Sequence, residues 1–133
     1  MDTRYVLVIE DNEDNRTLIK FALESKKNWK VLTARDGVEG IAKAKTMHPD
    51  VILLDFKMPC LDGLSVLESL KSNLFTCSIP IIFITAMVET KLVSQLENTL
   101  AAGIITKPFD VINLDSQIAE ICQWDKFTSN SLV

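Results

Sequence analysis

The chain has 133 residues, enough for one domain around one core, and 47% of them are hydrophobic. Fourteen Lys and Arg against eighteen Asp and Glu leave a net charge of −4 and a pI of about 4.9, which argues against direct nucleic-acid binding, where cations must cluster on phosphates. No apolar run reaches membrane-spanning length, and Met1-Asp2-Thr3-Arg4 has no signal-peptide core, so a cytoplasmic protein without membrane insertion is expected.

Strand and helix patterns alternate along the chain. Tyr5–Ile9 reads as a strand and Glu13–Ser25 as a helix, with Leu18, Phe21 and Ala22 recurring at helical spacing. Lys30–Ala34 is a short second strand. Asp36 is an N-cap candidate for a helix over Val38–Thr46, which His48-Pro49-Asp50 ends. Val51–Leu54 is apolar throughout, as expected of a strand covered on both faces. Met58-Pro59 and Asp62-Gly63 form a loop before a helix over Leu64–Lys71, whose Leu64, Leu67 and Leu70 face inward. Ile81–Ile84 is the fourth strand, Glu89–Leu100 a helix stopped by Gly103, Gly103–Thr106 the fifth strand and Asn113–Gln123 the last helix. The polar stretch from Trp124 to Val133 reads as a frayed tail, which sets the domain at residues 1–124 and the tail at 125–133. The alternation predicts an α/β fold, a doubly wound parallel sheet with helices on both faces. Cys60, Cys77 and Cys122 are widely spaced and odd in number, so reduced thiols are expected rather than a zinc site or a disulfide framework.

Five polar residues stand out. Glu10 and Asp11 follow the first strand, Asp55 the third, Thr85 the fourth and Lys107 the fifth, with Pro108 directly after it. Residues just past the ends of parallel strands converge on one sheet edge, where open α/β sheets bind ligands. Adjacent carboxylates repel, and a hard divalent cation such as Mg²⁺ supplies the counter-charge through oxygen ligands. A carboxylate can attack phosphorus to form an acyl phosphate. A hydroxyl and an ammonium can hold the oxygens of the transferred group. Each residue alone has a plainer reading: a loop-capping Asp55, an acidic first helix turn at Glu10 and Asp11, a strand threonine, an exposed lysine.

Together, Glu10-Asp11, Asp55-x-x-Met58-Pro59 with Asp62-Gly63, Thr85-Ala86 and Lys107-Pro108-Phe109 resemble the receiver domain of two-component response regulators, over about Tyr5 to Gln123. The resemblance implies a flavodoxin-like five-stranded parallel sheet of order 2-1-3-4-5 with five helices. It makes Asp55 the phosphoacceptor, with Thr85 and Lys107 as its helpers. It assigns Mg²⁺ to Asp11 and Asp55 directly, to Glu10 through water, and to the backbone carbonyl of Lys57. It implies a cis bond between Lys107 and Pro108. The implied partners are a histidine kinase or histidine phosphotransfer protein as donor and a downstream protein target, with homodimerisation on phosphorylation as one form of output. On this reading the chain is a stand-alone switch or phosphorelay element rather than an enzyme, since Met1 suggests a natural start and no effector domain follows.

The sequence departs from the family at Ile104, where an aromatic residue often stands. An aromatic rotamer switch is therefore not expected, and Ile104, Leu100 and Ala101 are expected to form a partner face. Lys57 and Met87 occupy positions that tune phosphoryl lifetime in the family. Two rivals are a haloacid dehalogenase-like phosphatase, which would need a second acid where Lys57 stands, and a binding module that works without phosphorylation.

Overall fold

The computed structural model describes residues 3–56, 58, 62–86, 94 and 99–124. Five strands form one parallel sheet: β1 Arg4–Ile9, β2 Trp29–Ala34, β3 Val51–Asp55, β4 Ile81–Thr85 and β5 Gly103–Thr106, in the order β2-β1-β3-β4-β5. Four helices are described: α1 Glu13–Glu24, α2 Gly37–Met47, α3 Gly63–Lys71 and α4 Leu114–Cys122. The expected helix over Glu89–Leu100 lies almost wholly outside the described residues; Ser94 is helical, and Thr99 and Leu100 lie in a bend.

Strands β3 and β4 are buried along their whole length, as their unbroken apolar sequences require when both faces are covered. On one face Leu7, Ile9, Ile52, Leu54, Ile81 and Phe83 pack against Ala44 of α2 and Val66, Leu67 and Leu70 of α3. On the other, Val6, Val8, Val51, Leu53, Ile82 and Ile84 pack against Ile19, Ala22 and Leu23 of α1 and Leu114 and Ile118 of α4. The two layers follow from the alternation of side chains along each strand.

The helix starts are set by short polar side chains. Asn12 accepts from the Asn15 amide, Asp36 from Glu39 and Asp62 from Ser65, each satisfying an amide that has no partner within the first turn. His48 closes α2 in the left-handed conformation. The inward face of α1 differs from the expected one: Ile19, Ala22 and Leu23 are buried, Phe21 is 69% exposed and Leu18 is also exposed.

The chain end differs as well. Trp124, expected to open a frayed tail, packs against Trp29 with ring centroids 5.9 Å apart, and the Arg4 guanidinium lies 4.3 Å from the centre of the Trp124 ring. Among the described residues no helix is long and apolar enough to cross a membrane.

Candidate functional site

Strand register brings the site together. Ile9 pairs with Leu54, so the residues that follow, Glu10 and Asp55, emerge side by side. Asp55 in turn pairs with Ile84 and Thr85 with Thr106, which places Thr85 and Lys107 at the same edge. The Lys107 amide donates to the Thr85 carbonyl at 2.8 Å, extending the β4–β5 ladder to the lysine itself. The Lys107–Pro108 peptide bond is cis, as the resemblance implied.

Carboxylate oxygens of Glu10, Asp11 and Asp55 lie within 4.8 Å of one another. Glu10 is 1% exposed, Asp55 6% and Thr85 1%, whereas Asp11 faces solvent. The Lys107 ammonium donates to Glu10 Oε1 at 2.6 Å and stands 3.8 Å from Asp55 Oδ2. Its charge offsets that of the buried acids, since unpaired buried charge is costly.

The two neighbouring acids are driven in opposite directions. Burial pushes the Glu10 carboxyl up, but the Lys107 ammonium, a hydrogen bond with Asp55 and the Asn12 amide outweigh it and hold Glu10 below the ordinary glutamate value. At Asp11 the balance falls the other way: partial desolvation, a hydrogen bond with Glu10 and the charge of Glu10 outweigh a backbone hydrogen bond and the Lys107 charge, and hold it above the ordinary aspartate value. Three oxygen donors of this kind fit a hard divalent cation.

Two structural supports were not visible in sequence. Arg16, on the first turn of α1, donates from Nη1 to the carbonyl oxygens of both Glu10 (2.8 Å) and Asp11 (3.0 Å). Gly63 opens α3 against the strand that carries Asp55: a methyl group there would lie 2.8 Å from Phe56 Cα and 3.0 Å from the Asp55 carbonyl oxygen. Asp62-Gly63 was legible as a loop signature, but the close approach that demands glycine was not. Arg16 leaves no sequence signal, because its partners are main-chain atoms.

Lys57, the carbonyl ligand implied by the resemblance, lies outside the described residues, as do Met87, Cys60 and residues 125–133. Cys77 and Cys122 are free thiols, and burial pushes Cys122 up to about 11. Ile104 and Ala101 are half-buried against the core below α3, while Leu100 is 73% exposed. Of the three residues expected on a partner face, Leu100 alone presents most of its surface. A cleft of about 440 Å³ opens beside Lys107, with Leu18 of α1 on one wall and Ala86, Pro108 and Phe109 on the other.

A family model for the response regulator receiver domain matches residues 6–119. The hybrid signal transduction histidine kinase D of Dictyostelium discoideum is 34% identical over 121 residues, which cover 91% of this chain and 8% of that protein. The alkaline phosphatase synthesis transcriptional regulatory protein PhoP of Bacillus subtilis is 33% identical over 131 residues, 95% of this chain and 51% of the relative. The chain thus spans about half the length of one of these relatives and under a tenth of the other. The polar-differentiation response regulator DivK of Brucella ovis is 31% identical over 109 residues, covering 82% of this chain and 88% of DivK. Among solved structures, the chemotaxis response regulator CheY4 of Vibrio cholerae superposes with a TM-score of 0.82 at 25% identity, covering 90% of this chain and 98% of that one.

Proposed function

Because the chain belongs to the response regulator receiver domain family of two-component signalling, we propose that it is a phosphorylation switch whose acceptor is Asp55. The observation that carries this reading is the convergence of Glu10, Asp11 and Asp55 within 4.8 Å, with the Lys107 ammonium 3.8 Å from Asp55. An Asp55 carboxylate oxygen forms the new O–P bond while the P–N bond of a donor phosphohistidine breaks; the electron pair leaves with the histidine nitrogen, which takes a proton from solvent.

Lys107 is placed to offset charge on the phosphoryl oxygens, and Thr85, at the end of the next strand, to donate its hydroxyl to one of them. Glu10, Asp11 and Asp55 would hold Mg²⁺, with the Lys57 carbonyl as a further ligand. When bound, the ion supplies charge neutralisation for the attacking carboxylate and the phosphoryl oxygens. Glu10 keeps Lys107 in reach of Asp55 through their 2.6 Å bond. The cleft between Leu18 and Phe109 gives a donor histidine kinase or phosphotransfer protein an apolar rim beside the acceptor. Output passes to a protein target, through a surface that includes Leu100 or by onward phosphoryl transfer, and the cytoplasm is where such partners meet the chain.

The test is intact-mass spectrometry after incubation with acetyl phosphate and Mg²⁺. One phosphoryl gain is expected for the parent and none for Asp55→Asn. A parent that gains no phosphoryl group at any Mg²⁺ concentration would overturn the reading.

A further inference from the structure

We infer that Arg16 is a positioning residue for the cation site: its guanidinium fixes the peptide that carries the two adjacent acids, and thereby sets the affinity for a divalent cation. This rests on the reading of the acidic cluster as a cation site.

Glu10 and Asp11 stand where β1 has ended and α1 has not begun. The Glu10 amide still pairs with the Ala34 carbonyl at 3.1 Å, the last such bond on that side of the strand. From there to the Asn12 cap the direction of the two side chains depends on what holds the intervening peptides. Arg16 supplies that hold with one nitrogen, donating to the Glu10 carbonyl at 2.8 Å and the Asp11 carbonyl at 3.0 Å. Charge-assisted bonds of this kind are roughly twice as strong as neutral ones. The Arg16 backbone is itself fixed, because its amide donates to the Asn12 carbonyl at 3.0 Å as the first bond of α1. The side chain is half-buried, and the bond to the Glu10 carbonyl is partly shielded from competing water, while the bond to the Asp11 carbonyl is exposed.

The arrangement ties helix α1 to the carboxylates by a short route. The guanidinium touches neither carboxylate but binds the carbonyls of the same two residues, so it fixes where the acids point without occupying their oxygens. Groups that orient metal ligands typically change affinity by about 10–100-fold when removed.

The experiment is calorimetric titration with Mg²⁺ alone on the parent, Arg16→Met and Arg16→Lys, with urea unfolding of each in chelator. Arg16→Met is expected to weaken Mg²⁺ binding by at least about 10-fold, and Arg16→Lys, which keeps a charged donor, to recover most of the loss. If Arg16→Met does not fold, Arg16→Gln takes its place; its amide is too short to span both carbonyls and should show the same loss. A variant that unfolds at lower urea yet binds Mg²⁺ as the parent does would make Arg16 a stabilising residue only and overturn the inference. A parent that binds no Mg²⁺ would instead sink the reading of the cluster beneath it.

Discussion

Gly63 has no room for a side chain. A methyl group there would meet Phe56 Cα at 2.8 Å, Phe83 Cε1 at 2.9 Å and the Asp55 carbonyl oxygen at 3.0 Å, two of the three being backbone atoms that move only with the strand. Gly63→Ala is expected to cost about 1–3 kcal/mol, the usual range for overpacking, read as a lower urea midpoint. An unchanged midpoint would mean that α3 can slide without disturbing Asp55. Glu10 makes a second prediction at this scale. Its carboxyl is held below the ordinary value of 4.5, so its contribution to stability is present above that value and is lost as pH falls through the lower folded value. In chelator, Glu10→Gln should flatten the acid limb of stability below about pH 5. If urea midpoints of the variant fall with acid as steeply as the parent's, the linked proton binds elsewhere.

Helix α1 shows how far a pattern of apolar residues can be trusted. Leu18, Ile19, Phe21, Ala22 and Leu23 contain two overlapping sets at helical spacing, 18-21-22 and 19-22-23, and periodicity alone does not choose between them. The sheet chooses the second, since Ile19 and Leu23 reach Val6, Val8 and Leu53 while Phe21 stays in solvent. Ile19→Ala is therefore expected to cost about 2–5 kcal/mol, the range for a truncated core aliphatic. Phe21→Ser should stay within about 0.5 kcal/mol, as for exposed positions. Comparable losses in thermal or urea unfolding would reverse the assignment of the face. The strands were easier to read, because β3 and β4 are apolar from end to end and a strand buried on both faces has no alternation to misplace. The Asp36 cap was legible from residue type and position, and the structure gives it the expected bond to the Glu39 amide at 2.8 Å. Glu10, Asp11, Asp55, Thr85 and Lys107 could be placed together from sequence because parallel strands end at one edge; Arg16 could not, because nothing in a side-chain pattern marks an exposed carbonyl.

The molecule has two unlike poles. The acids and Lys107 occupy the edge where the strands end. At the edge where they begin, Arg4, Trp29 and Trp124 close over the start of β1 and β2, with Arg4 paired to Trp29 in the sheet register. The polar run after Trp124 masked this in sequence: an indole placed ahead of Asp125 and Lys126 looks like part of a tail until the facing Trp29 is seen to meet it. The six residues of β1 carry the chain from Arg4 to Glu10, about 20 Å at the rise of a strand. Both tryptophans of the chain thus sit at one pole, their rings in contact at a 50° tilt with the Arg4 cation over Trp124, and the site has no indole beside it. The protein carries a built-in optical label for the seating of its own last helix. Its ultraviolet emission follows that clasp, while events among the carboxylates are read by heat or mass.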